Sequence, residues 1–283
     1  MRETLPYDAR SQKRAQPTRL ARLGHATLEL SLGFSRLVQT AASALISSRR
    51  LGAAARRVVR RIALAQVLYT GVHAVTLISV IGLLIGGTLI IQTHLMAPAA
   101  GGEMLGTILV AVVVRELAPL VTAIVVTGRS GTAIATELGN MKANSEVAAL
   151  ASMGIDPAHY IVLPRLIGAT VSVLVLTVYF AFVAILGGYA VSLLIASPSF
   201  TAIQAGASRT LMLADLPLFL AKAGGLGALV GWLPCHYGLS VKSSPTEVPQ
   251  QASRAVVRCM GACVAYNLVV TAGFYAWVGP PIR

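Results

Sequence analysis

From residue 62 onward the chain alternates long charge-free stretches with short polar interruptions. About 20 apolar residues carry a helix across bilayer hydrocarbon, so each charge-free stretch of that length predicts a span. Residues 62 to 102 contain no Asp, Glu, Lys or Arg. They predict a first span near 66 to 95, ended by Pro98 and the Gly101-Gly102 pair. A second run covers 104 to 128. A third begins after Arg165 and stays uncharged to Ser208, too long for one straight crossing, with Pro198 marking its exit. A fourth, 216 to 238, holds Lys222 and many glycines, and a fifth covers 259 to 278. The pattern predicts an all-α integral membrane protein with five transmembrane helices.

Upstream the period changes. Leu20, Leu23, Thr27, Leu30, Phe34, Leu37, Val38, Ala41 and Leu45 fall on one arc of a 3.6-residue wheel, with Arg22, Glu29 and Arg36 opposite. This predicts an amphipathic interfacial helix, an elbow lying along the membrane surface or a plain anchor. The organisation expected is a basic tail over 1–19, the elbow region over 20–61 and a membrane domain over 62–283.

Composition agrees with the solvent. Of 283 residues, 55% are hydrophobic and only 12% charged, outside the range of soluble domains. The net charge of +13 is concentrated in residues 1 to 61, which hold 13 Lys/Arg against 3 Asp/Glu. Only Tyr7 and Phe34 stand among these arginines, too few for an interleaved aromatic pattern, and the arm leads straight into a span. Anionic lipid is therefore the expected partner and nucleic acid is not. An Arg-rich, acid-poor leader also fits an organelle transit peptide.

If the arm is cytoplasmic, it shares its side with Arg129, Lys142, Arg165, Lys242, Arg254 and Arg258, leaving only Arg209 and Arg283 opposite. The expected topology is N-terminus in, C-terminus out. Cys235, Cys259 and Cys263 form no CxxC pair and read as packing residues. The five histidines are scattered, and no metal site is expected.

Three charges lie inside spans: Arg115 and Glu116 in "AVVVRELAPLVTAIVV", and Lys222 in span four. Each costs on the order of 2.5–3.5 kcal/mol even on insertion scales, so such residues face protein or water and mark pathways or buried networks. Neighbours on a helix point about 100° apart and cannot satisfy one another. Lys222 is the expected partner of Glu116. Arg115 is expected to face a cavity and attract a lipid phosphate, or else to join a structural network with the other two.

The segment after span two, "TGRSGTAIATELGNMKANSEVAALASMGIDPAHYIVLPR", is too apolar for a linker and too rich in glycine to span. It predicts two short helices. Ser145 would cap the second, Glu146 would sit in its first turn, Gly154 would end it in the left-handed conformation, and Asp156-Pro157 would forbid continuation. A compact helix held at the membrane surface is what a soluble motor needs to grip. No lysine follows a glycine, so no P-loop exists and nucleotide chemistry is expected on another polypeptide. An ion-coupled secondary transporter and a non-transporting scaffold are the alternatives.

The same stretch, with its Arg-Glu-Leu, Gly-Arg-x-Gly, Glu-Leu-Gly-x-Met-Lys and Met-Gly-Ile-Asp-Pro elements in order, resembles the signature of MlaE/YrbE-type permeases. These are the membrane subunits of MCE-associated ABC phospholipid transporters. The likeness covers about residues 60 to 279, including Ser244 to Gln250, which is similar to the family's "STEVPQ" stretch. It implies a homodimer in the bacterial inner membrane with a cytoplasmic ABC ATPase, an MCE-domain periplasmic substrate-binding protein, often a STAS-domain partner, and phospholipid as cargo. ATP and Mg would be bound by the ATPase, with no cofactor and no catalytic residue in this chain. By position, Glu137, Met141 and Lys142 would belong to the turn below span two. Ser145, Glu146, Met153, Gly154, Asp156 and Pro157 would belong to the coupling helix docked on the ATPase. The chain departs from the family at Ala149, where an acidic residue is common.

Overall fold

Hydrocarbon offers the backbone no hydrogen-bond partner, so a spanning segment must satisfy its own peptide groups. The computed structural model, which describes residues 53–96, 102–195, 200–211, 215–242 and 244–278, meets that demand with helices and, among the described residues, no strand. Among the described residues, five helices are long and apolar enough to cross a membrane: Arg60–Leu95, Glu103–Ala143, Tyr160–Leu194, Asp215–Leu239 and Pro245–Ala276. The expected elbow helix, the basic tail, Pro98 and Pro198 lie outside the described residues.

Helix α1 (Ala53–Met96) contains the first span. Span two is a continuous helix made of α2 (Gly102–Ile108), a π-helical segment (Leu109–Leu117), α3 (Ala118–Val126), a second π segment (Thr127–Gly131) and α4 (Thr132–Ala143). After α5 (Glu146–Ser152) a third π segment (Ala158–Val162) leads into α6 (Leu163–Ile195). Then come α7 (Phe200–Thr210), α8 (Asp215–Leu239) and, behind a short 3-10 turn at Pro245–Glu247, α9 (Val248–Val278).

Several expectations are corrected. The first of the two short helices expected after span two is instead the extension of span two, because Gly128 and Gly131 do not break the helix. They sit against neighbouring side chains, where a Cβ on Gly131 would meet Pro234 Cγ at 3.3 Å and one on Gly128 would meet Met260 Cε at 3.6 Å. Gly139 likewise lies where a Cβ would come within 2.9 Å of Val248 Cγ1. These glycines serve close packing, not turning. Helix α9 of span five begins eleven residues before the expected 259, at Val248, and α1 begins before 66. Counting charges marks the hydrocarbon, whereas the helices run on past it with Arg57, Arg60, Arg254 and Arg258 exposed. Helix α7 was hidden in a stretch that carries no charge until Arg209. Span four is one unbroken helix despite Gly224, Gly225 and Pro234.

The bundle closes through small residues that let backbones touch, as in membrane helix pairs generally. A Cβ on Gly86 of α1 would run into the Ala184 carbonyl of α6, and one on Gly187 of α6 would come 2.7 Å from the Leu83 Cα. Gly227 and Gly231, four apart on α8, lie on α6 where a Cβ would come 2.7 Å from Thr170 Cα and 2.9 Å from Leu166 Cα. Helix α6 is therefore the centre on which α1 and α8 pack. Spans two and four end up side by side, which positions the site below.

Candidate functional site

The π segment Leu109–Leu117 carries Arg115 and Glu116, the two charges that the sequence placed inside span two. Single π turns interrupt α-helices mostly where function demands an altered register. Span four supplies the complement. Its residues Asp215 and Lys222 are seven apart, hence two turns and about 10 Å along one face, and each takes one charge of the Arg115-Glu116 pair.

Lys222 is fully buried. Its Nζ donates to Glu116 Oε1 at 2.7 Å and to the Arg115 carbonyl at 2.8 Å. Glu116 also accepts from Thr271 Oγ1 at 3.1 Å and Asn267 Nδ2 at 3.2 Å, both on α9. Three spans thus converge on one carboxylate, whose side chain keeps 32% exposure. The structure brings Glu116 and Lys222 together as the charge count anticipated.

Arg115 takes its own partner on span four. Its Nε lies 2.9 Å from Asp215 Oδ1, and Nη2 donates to Asp215 Oδ2 at 2.9 Å and to the Thr210 carbonyl at 2.8 Å. With the side chain 5% exposed, Arg115 has its charge matched by a carboxylate inside the chain. It belongs to the buried network. Arg115 and Asp215 themselves line a small recess together with Val114, Pro119, Leu211, Leu218 and Phe219.

Sequence reading missed Asp215, Asn267 and Thr271. Asp215 stands one residue before the apolar run that defined span four. Its signal was the seven-residue spacing to Lys222, which puts both on the face that spans two and four share.

At the far end of span two lies the second group. Helix α5 is short and buries only Val147. Val147 joins Ile134 and Leu138 of α4, Ile161, and Cys235 of α8 in an apolar cluster against which Met141, Leu150, Val162 and Leu239 pack. Ser145 holds the expected N-cap position, but with φ 62° and no cap hydrogen bond from its side chain. It acts by backbone reversal instead: its carbonyl accepts from Ala149 N–H at 3.0 Å. Gly154 has φ 76°, the left-handed residue a helix stop requires. Gly154 N–H reaches the Ala151 carbonyl at 3.0 Å and Ile155 N–H the Leu150 carbonyl at 3.1 Å, a Schellman closure. Asp156 Oδ1 then accepts from Ala158 N–H at 2.9 Å, with Pro157 preceding the next helix.

Glu146 and Asp156 are exposed and Lys142 is half-buried. Met153 is 65% exposed at the end of α5. Glu137 points back into the chain, where Arg165 Nη2 lies 2.7 Å from its Oε1. Close beside α4, Ser244 Oγ accepts from Thr246 N–H at 3.4 Å and starts the turn into α9. The Ser244–Gln250 stretch, distant in sequence, thereby joins the same end of the bundle.

The family model described as Permease MlaE matches residues 63–272, well over half of the chain. The chain belongs to the MlaE permease family. A probable ABC transporter permease of Synechocystis is 29% identical to this permease over 250 residues, covering 88% of this chain and 92% of the relative. The intermembrane phospholipid transport system permease protein MlaE of Haemophilus influenzae is 27% identical over 209 residues, covering 71% and 78%. The chloroplastic protein TRIGALACTOSYLDIACYLGLYCEROL 1 of Arabidopsis thaliana is 27% identical over 179 residues, covering 63% of this chain and 51% of the relative. The permease is thus a multi-pass membrane protein whose relatives are ABC permeases.

Proposed function

We propose that this MlaE-family permease is the membrane subunit of an ABC transporter that moves phospholipid between membranes, driven by a separate ATPase that grips α5. The observation that carries the reading is the construction of α5. It is a short helix closed at both ends by left-handed residues, seated on the spans by one apolar cluster and presenting Met153 outward. Such a knob has a defined shape and an unfilled apolar tip, the features by which a soluble motor subunit is recognised. Phospholipid as cargo is supported by the name of the Haemophilus relative.

The working assembly is a homodimer in the bacterial inner membrane, N-termini cytoplasmic and C-termini periplasmic. A cytoplasmic ABC ATPase, an MCE-domain partner on the far side and a STAS-domain protein complete it. ATP and Mg belong to the ATPase. The permease purified alone in detergent should hydrolyse no ATP, and hydrolysis should appear when the ATPase subunit is added. Robust hydrolysis by the lone chain overturns the reading.

A further inference from the structure

We propose that Arg165 and Glu137 form the tie through which movement of α5 is passed to spans two and three, a role that rests on the coupling reading above. Glu137 lies on α4 shortly before α5, and Arg165 is the third residue of α6 after it. Their 2.7 Å contact closes residues 137 to 165 into a ring that contains the whole knob.

The ring needs such a closure. Helix α5 is joined to its neighbours through Ser145 and Gly154, both with positive φ, and a seven-residue helix between two tight reversals can rock about them. Its remaining hold is the cluster of Ile134, Leu138, Val147 and Ile161. Apolar contact is non-directional and resists sliding weakly. An ion pair at 2.7 Å sets one nitrogen of Arg165 against one oxygen of Glu137 and so fixes a register. Without it, a push on α5 is absorbed by rocking; with it, α4 and the start of α6 move together.

Burial makes the tie firm on one side only. Arg165 is 8% exposed, and its backbone carbonyl lies where a Cβ on Gly231 of α8 would meet it at 3.3 Å. The guanidinium is therefore anchored in the bundle, while the Glu137 side chain is 61% exposed. The second arm, Nη1, is buried with no hydrogen-bond partner among the described residues. Arg165 thus holds Glu137 by one arm, and a single ammonium should replace it.

The test uses the full complex in proteoliposomes, with lipid moved per ATP hydrolysed as readout and a fluorescent phosphatidylglycerol as probe. Removing only one partner leaves a buried charge, so Glu137→Gln is combined with Arg165→Met. This variant should keep its ATPase bound and hydrolysing, while lipid moved per ATP falls about tenfold, the scale of a coupling between two sites. Arg165→Lys should keep at least half of the wild-type ratio.

A third variant, Glu137→Cys with Arg165→Cys bridged by a short reducible bis-thiosulfonate, should transport when bridged and lose the ratio after reduction. It decides the matter if the first variant fails to insert. A wild-type ratio in the double variant, loss of the ratio in Arg165→Lys, or indifference to the bridge overturns the tie. Failure of the wild-type permease to bind or stimulate any ATPase overturns the coupling reading itself, and the tie with it.

Discussion

Span two carries charge at both ends of its working length, and the two ends treat it in opposite ways. Within the membrane, Arg115, Glu116, Asp215 and Lys222 are matched by one another inside a single chain, with Lys222 fully buried. Around α5, Glu146, Asp156 and the Met153 side chain face outward. The first group is electrically complete in the lone chain. The second is shaped, but its outward surface is left for something else to cover. A buried charge network fixes one structure and a surface knob offers a contact, so damage to each should read out differently.

The comparison breaks most visibly at Glu116. Glu116→Ala strands the Lys222 ammonium in the bundle, and breaking a buried pair this way costs about 3–5 kcal/mol. Thermal unfolding in detergent should show the largest loss of any single substitution here, with lower membrane yield. Glu116→Gln with Lys222→Met, which removes both charges, should recover most of it. Exchanging the two charges should recover less, because Asn267 Nδ2 and Thr271 Oγ1 now donate to the carboxylate and an ammonium has no use for donors. Full recovery by the exchange and none by the neutral pair would show that charge matching, not shape or the donors around Glu116, holds the cluster.

Next in size is Arg115→Ala. It leaves the Asp215 carboxylate without its bidentate partner, but that side chain keeps 13% exposure and water can reach it. The expected loss is about 1–3 kcal/mol, measured by the same unfolding assay, with lipid crosslinking in assembled complexes otherwise unchanged. A stability loss as large as that of Glu116→Ala would mean that the two pairs are one unit.

Smaller still is Gly154→Ala, at about 1 kcal/mol for a side chain placed in the left-handed region. Combined with Glu146→Ala it should leave the spans inserted but release or uncouple the ATPase, seen by co-purification. Met153→Ala should barely move unfolding, within about 0.5 kcal/mol for an exposed site, yet weaken ATPase association. If co-purification is unaffected by either, the knob is a connector and the contrast with the charge cluster disappears.

The five spans were legible because loss of charge over some 20 residues is a demand of the solvent. Helix ends were not, since α1 and α9 continue beyond the hydrocarbon on exposed arginines. The pairing of Glu116 with Lys222 was within reach because few charges lie at that depth. Asp215 was not, because it stands at the margin of its span and only packing brings it to Arg115. The glycines of the Thr127–Gly139 region were read as breaks, whereas contact with Pro234, Met260 and Val248 explains them. Propensity along the chain carries no record of such a neighbour. Gly154 was legible because its partners are local.

The unbroken course of span two has a mechanical consequence. Its 41 residues from Glu103 to Ala143 make a rod about 60 Å long, twice the roughly 30 Å hydrocarbon thickness. Roughly 35 Å of it separates Glu116 from Met141. Under the proposed coupling, the charged level, bonded to spans four and five, would be the fulcrum and the end beside α5 the long arm. A stroke of about 3 Å there turns the rod by about 5°. The ion pairs at the fulcrum are asked to pivot rather than slide, and a bond near 2.8 Å survives a pivot of that size.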